Sequence, residues 1–107
     1  MSDSPPLLPR PIHIEEFQPL LGRTFLADCD PKPAALILVD VQPGRQTPGV
    51  ARQAFRLLFR SAPDAVLVPG MYVMKSDGFG PDIIYIERTQ APSEDFAEGH
   101  YYQAVFN

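Results

Sequence analysis

The sequence predicts an all-β domain, mainly antiparallel: a six-stranded curled sheet or small barrel with one short N-terminal helical turn. Three observations carry that expectation. Short apolar runs, several with a period of two, recur between turns rich in proline and glycine. Thirteen prolines in 107 residues leave little room for the long helical crossovers that parallel pairing needs. The chain also closes on Tyr101-Tyr102-Gln103-Ala104-Val105-Phe106-Asn107, with three aromatics in seven residues. Terminal residues fray unless something pairs and packs them, so the fold is expected to close on this segment.

The elements follow in order. Residues 1–11 hold Pro5, Pro6, Pro9 and Pro11 and read as a flexible proline-rich arm before a single β domain, residues 12–107. Pro6-Leu7-Leu8-Pro9 fits the PxxP pattern, a short match that carries little information and that a loosely attached leader explains better. Residues 12–21 suit one helical turn. Phe17, Leu20 and Leu21 share a face, Glu15 and Glu16 suit its start, and Gly22 its end. Residues 23–27 then read as a strand with Phe25 inward. Residues 35–41 form a nearly continuous apolar run, expected as a strand covered on both faces.

Residues 50–60 are ambiguous. Thr47 and Pro48 could start a helix, whereas a strand over 53–61 would turn Phe55, Leu57 and Phe59 inward and Arg56 and Arg60 to water, with Leu58 the exception. Residues 62–69 read as a loop, 70–75 as a strand, 76–81 as a hairpin connection and 82–88 as a strand. Residues 91–100 form an acidic loop in which Ser93 could start a helical turn.

Charge and composition bound the function. A net charge of −4 lacks the positive field that nucleic acid recruits. No apolar run reaches the roughly 20 residues of a membrane span, and one cysteine forbids an internal disulfide. A cytoplasmic protein, without membrane or nucleic-acid partners, is the expectation. Cys29 lies between Asp28 and Asp30, which oppose the thiolate a nucleophile needs. His13 and His100 lack metal-ligand spacing, and Glu94, Asp95 and Glu98 lack the alternation of a calcium loop. Ser76-Asp77-Gly78-Phe79-Gly80 lacks the lysine of a phosphate cradle. No catalytic residue, metal ligand or cofactor is therefore assigned.

Two groups suggest contact instead. Arg52, Arg56 and Arg60 recur every four residues and could meet an acidic partner. Tyr72, Tyr85 and Tyr101 are of a type enriched at interfaces. With Tyr102, they could equally be divided between core and surface.

Four pieces carry a resemblance that covers about residues 14–107. They are Phe17-x-x-Leu20-x-Gly22-x-x-Phe25, then Phe55-x-Leu57-x-Phe59-Arg60-x-Ala62-Pro63, then Pro69-Gly70-x-Tyr72, and the ending Tyr102-x-Ala104-Val105-Phe106-Asn107. They resemble a small uncharacterised domain family of bacterial genomes, to which no activity is assigned. The second piece alternates in the family, which implies the strand over residues 53–61. Association with phage-tail-collar-like proteins would imply an accessory or assembly role. The chain departs from the family pattern after Ile86: Glu87, Arg88 and Thr89 stand where an apolar residue and a proline are usual.

The expectation is a non-enzymatic interaction or assembly module for an unknown protein partner, itself a monomer or weak homodimer. A small-ligand barrel lined by Tyr72, Met74 and Tyr85 is the second reading. A hydrolase using Cys29 or the loop carboxylates is the third.

Overall fold

The computed structural model describes residues 11–29, 32–45, 48–49, 53–94 and 96–106. Within them, two short 3₁₀ turns, Ile14–Glu16 and Gln18–Leu20, precede six strands. These are β1 (Thr24–Ala27), β2 (Ala34–Pro43), β3 (Phe55–Ser61), β4 (Gly70–Ser76), β5 (Phe79–Thr89) and β6 (His100–Phe106). They close into an antiparallel barrel in the order β1-β2-β3-β6-β5-β4, with β4 returning to β1. The sheet is therefore the barrel form of the expected fold. β6 lies between β3 and β5, as expected of a segment on which the fold closes.

Alternation decides what fills the barrel. Phe25, Leu36, Leu38, Phe55, Leu57, Phe59, Met74, Ile84, Ile86 and Tyr102 turn inward and are buried. The proposed helical turn appears as the two 3₁₀ turns, and Pro19 inside the second fits a short element that needs few N–H donors. Between them, Phe17 plugs one end of the barrel, with ring centroids 4.9 Å from Phe79 and 5.8 Å from Phe55. Gly22 follows with φ of 83°, a left-handed stop that glycine takes without cost.

Several details differ from the sequence expectation. β5 begins at Phe79 because the hairpin turn uses only Asp77 and Gly78, and Phe79 enters the core. β2 is buried on one face only: Leu36 and Leu38 point in, while Ile37 is half-buried outside. The register shifts between Leu38 and Asp40, passing over Val39. Such a bulge resets the alternation, so Val41 pairs inward with Leu57 while Asp40 and Gln42 face out. Around Ser93 the described residues make bends and a turn, which the Phe96 N–H closes on the Ser93 carbonyl at 3.3 Å. The proline-rich arm, except for Pro11, lies outside the described residues, as do Thr47, Val50 and Arg52.

Candidate interaction face

The outer surface of the barrel divides into two unlike halves. Across β2, β3, β6 and the end of β5, polar side chains form one ladder. The Arg56 guanidinium donates to Gln42 Oε1 at 2.7 Å and to Gln103 Oε1 at 3.1 Å. Gln42 Nε2 then donates to Asp40 Oδ2 at 2.7 Å, and Gln103 Nε2 to Glu87 Oε1 at 2.8 Å. Each amide thus bridges the central cation to a terminal carboxylate, and each link is charge-assisted. Sequence spacing positions these groups. Gln42 lies opposite Arg56, and Glu87 opposite Gln103, while the shift in β2 is what turns Asp40 and Gln42 outward. Leu58 lies on the same face as Arg56 and is only 2% exposed.

The other half, over β1, β4 and the first part of β5, is apolar. Met71 lies directly opposite Tyr85, and Val73 opposite Ile83. Met71 is 73% exposed and Tyr85 53%. Leu26 on β1 continues the strip, paired with Lys75. A shallow cavity of about 310 Å³ sits at this end, lined by Leu26, Asp28, Pro33, Val73, Lys75 and Pro81.

A third cluster closes the barrel end opposite Phe17. Ser61 Oγ, on a buried side chain, donates to the Ala65 carbonyl at 2.6 Å. The buried Tyr102 hydroxyl accepts the Leu67 N–H at 2.9 Å, so the loop 62–69 is held over the core. His100 Nε2 lies 3.0 Å from the Pro63 carbonyl, and its Nδ1 lies 3.1 Å from an Arg88 nitrogen. A carbonyl only accepts and a guanidinium only donates, so the proton sits on Nε2 and Nδ1 accepts. Tyr72 donates its hydroxyl to the Val68 carbonyl at 2.6 Å. Burial pushes the Tyr72 phenol above the ordinary tyrosine value, with smaller contributions from Cys29 and Tyr102.

The residues marked in the sequence as a contact surface are dispersed. Arg52 lies outside the described residues. Arg56 is the centre of the ladder, and half-buried Arg60 packs its stem close to Gly99. Tyr101 is 4% exposed, donates to the Ala97 carbonyl at 2.6 Å and meets Phe96 edge-on. Tyr72 is half-buried, and Tyr85 alone of the three named tyrosines stands open. Met71, its partner, was not singled out in the sequence. Only the β4–β5 register makes the pair visible.

The residues weighed for chemistry do not assemble. Cys29 Sγ meets the Lys32 carbonyl at 3.4 Å, and no hydrogen bond joins it to His100. The His13 N–H donates to the Glu16 carboxylate at 2.8 Å and caps a turn. Glu94 and Glu98 are exposed, and Asp95 lies outside the described residues. Among the described residues, no group of three His, Cys, Asp or Glu side chains is placed to hold a metal ion. None of their helices is long and apolar enough to cross a membrane. Met74 faces the filled core while Tyr85 faces out, so Tyr72, Met74 and Tyr85 do not line one cavity.

No curated protein and no solved structure matches the chain. A family model does, over residues 12–106, which is nearly the whole sequence and the whole barrel. The chain belongs to that family, described as a domain of unknown function (DUF6916).

Proposed function

We propose that the domain is a non-enzymatic module that binds a protein partner through the outer face of β1, β4 and β5. The carrying observation is the Met71–Tyr85 pair, two large side chains directly opposite each other and both largely in water. Interfaces gain most from aromatic and methionine anchors surrounded by groups that exclude water. Leu26, Val73 and Ile83 supply that surround here. The polar half is the poorer candidate, because Arg56 is already held between Gln42 and Gln103. The small-ligand reading has less support, since phenylalanine, leucine and isoleucine side chains occupy the barrel interior. An assembly role beside phage-tail-collar-like proteins is a proposal resting on the sequence resemblance, and such proteins are the first partners to try.

The test is site-specific photo-crosslinking in the source cells. A photoreactive residue at Met71 is expected to capture one defined protein, and the same group at Gln42 to capture none. Equal capture from both sites, or none from Met71, would overturn the proposal. So would turnover of a substrate by the pure chain.

A further inference from the structure

We propose that the rim where β2 runs out beside the start of β3 is a binding site for a small organic carboxylate with an apolar tail. The site lies outside the filled core and does not depend on the contact reading. A cavity of about 540 Å³ opens there, lined by Gln42, Pro43, Arg45, Arg56, Val105 and Phe106 among others. That volume suits one small molecule. Its charge sets it apart. Three other surface cavities each set a cation beside a carboxylate: Lys75 with Asp28, Arg60 with Glu98, and Lys32 with Asp64. This one has two guanidiniums and no carboxylate among its described lining residues, in a chain whose net charge is −4. Asp40 and Glu87 each stand one glutamine away from Arg56, and neither lines the cavity.

The two arginines are differently prepared. Arg56 is held in place by Gln42 and Gln103, and a guanidinium has five N–H groups, of which these bonds take two. The exposed Arg45 guanidinium has no partner among the described residues. The backbone next to it is anchored. The Gly44 N–H donates to the Ala54 carbonyl at 2.7 Å, and the Gly44 carbonyl accepts from Gln53 Nε2 at 3.3 Å. The two segments approach so closely that a Cβ on Gly44 would meet the Ala54 oxygen at 3.1 Å. Beside the cations, Pro43, the exposed Val105 and the Phe106 ring, stacked on Phe55 at 4.5 Å, form an apolar wall. Planar guanidiniums recognise carboxylates by paired hydrogen bonds, and the wall offers contact to a ring or short chain attached to one. Bare phosphate would use the arginines and leave the wall in water.

Benzoate is the probe, titrated into the full chain and followed by NMR. The Arg45 and Arg56 Nε–H signals and the Val105 methyls should move together on one saturating curve, with Kd on the order of 1–10 mM, as a ligand of this size allows. Arg45→Gln, at an exposed position with no bond to lose, should weaken binding at least about fivefold. Two comparisons need no variant. Acetate, which lacks the ring, and inorganic phosphate should each bind at least about fivefold more weakly than benzoate. Any of three results overturns the proposal: no saturation below about 100 mM benzoate, equal affinity in the parent and Arg45→Gln, or acetate or phosphate binding as tightly as benzoate.

Discussion

Leu58 and Met71 are both apolar, both on the outside of the barrel, and differently treated. Leu58 is 2% exposed on the face that carries the Arg56 ladder, whereas Met71 is 73% exposed beside Tyr85. The difference is not one of residue type. It arises because β2, β3, β6 and the end of β5 bring two glutamines, a cation and two carboxylates into register, and these side chains satisfy one another above the sheet. β1, β4 and β5 bring apolar side chains into register and leave them bare. A β-sheet face that none of the described residues covers marks a surface for contact more clearly than any single residue does.

The largest expected effect breaks the equivalence of these two residues. Leu58→Ala should destabilise the fold by about 2–4 kcal/mol, because it removes a buried side chain from a covered site. Met71→Ala should cost less than about 0.5 kcal/mol, the range of ordinary surface substitutions. Chemical denaturation of both variants checks the pair. Equal losses would show that the apolar half is also part of the stabilising structure.

Next comes the ladder itself. Arg56→Ala removes two charge-assisted hydrogen bonds from a half-buried site and leaves two glutamine oxygens without their donor. The expected cost is about 1–3 kcal/mol, which for a domain of this size lowers Tm by several degrees. A double-mutant cycle of Arg56→Ala with Gln103→Ala should show coupling above about 0.5 kcal/mol. Additive losses would mean that the ladder is a row of separate surface contacts.

Much of the fold was legible because the strands obey simple alternation. Phe55, Leu57 and Phe59 read correctly as inward once the family resemblance decided for a strand over residues 53–61, and the closing aromatic segment read correctly as a paired strand. Phe79 was hidden by its setting. Gly78, Gly80 and Pro81 around it resemble loop punctuation, yet the turn consumes only two residues and the phenylalanine packs on Phe17. The two outer halves were less legible, since each depends on cross-strand register. The shift between Leu38 and Asp40 decides that Asp40 and Gln42 face out, and no local pattern announces a passed-over residue. Tyr101 and Tyr102 show the same limit from the other side. Both are buried, one against Phe96 outside the barrel and one inside it. Their sequence marks them as strand without saying what will cover either face.

The apolar half gives the third test, where stability and binding should part. Tyr85→Asp, alone or with Met71→Asp, should leave the melting temperature within about 2–4 °C of the parent, since both side chains already stand in water. The same changes should abolish capture of the partner. Loss of binding together with loss of folding would remove the distinction between the two halves.

The smallest effect concerns Tyr72, on the same strand as Met71 but turned to the barrel side. Its phenol is held above the ordinary tyrosine value, first by burial and then by Cys29 and Tyr102. A raised value means that the folded chain keeps the proton more tightly than the unfolded chain. The stability tied to the neutral phenol is therefore fully present below about pH 10, the unfolded value, and is lost as pH rises through the folded one. Alkaline unfolding should accordingly be shallower in Tyr72→Phe than in the parent, although the variant also loses the bond to Val68 and begins from slightly lower stability. Denaturant midpoints measured on either side of pH 10 compare the two. Identical slopes in parent and Tyr72→Phe would mean that the phenol ionises as freely on the barrel side as in water, and that β4 is no better covered within than without.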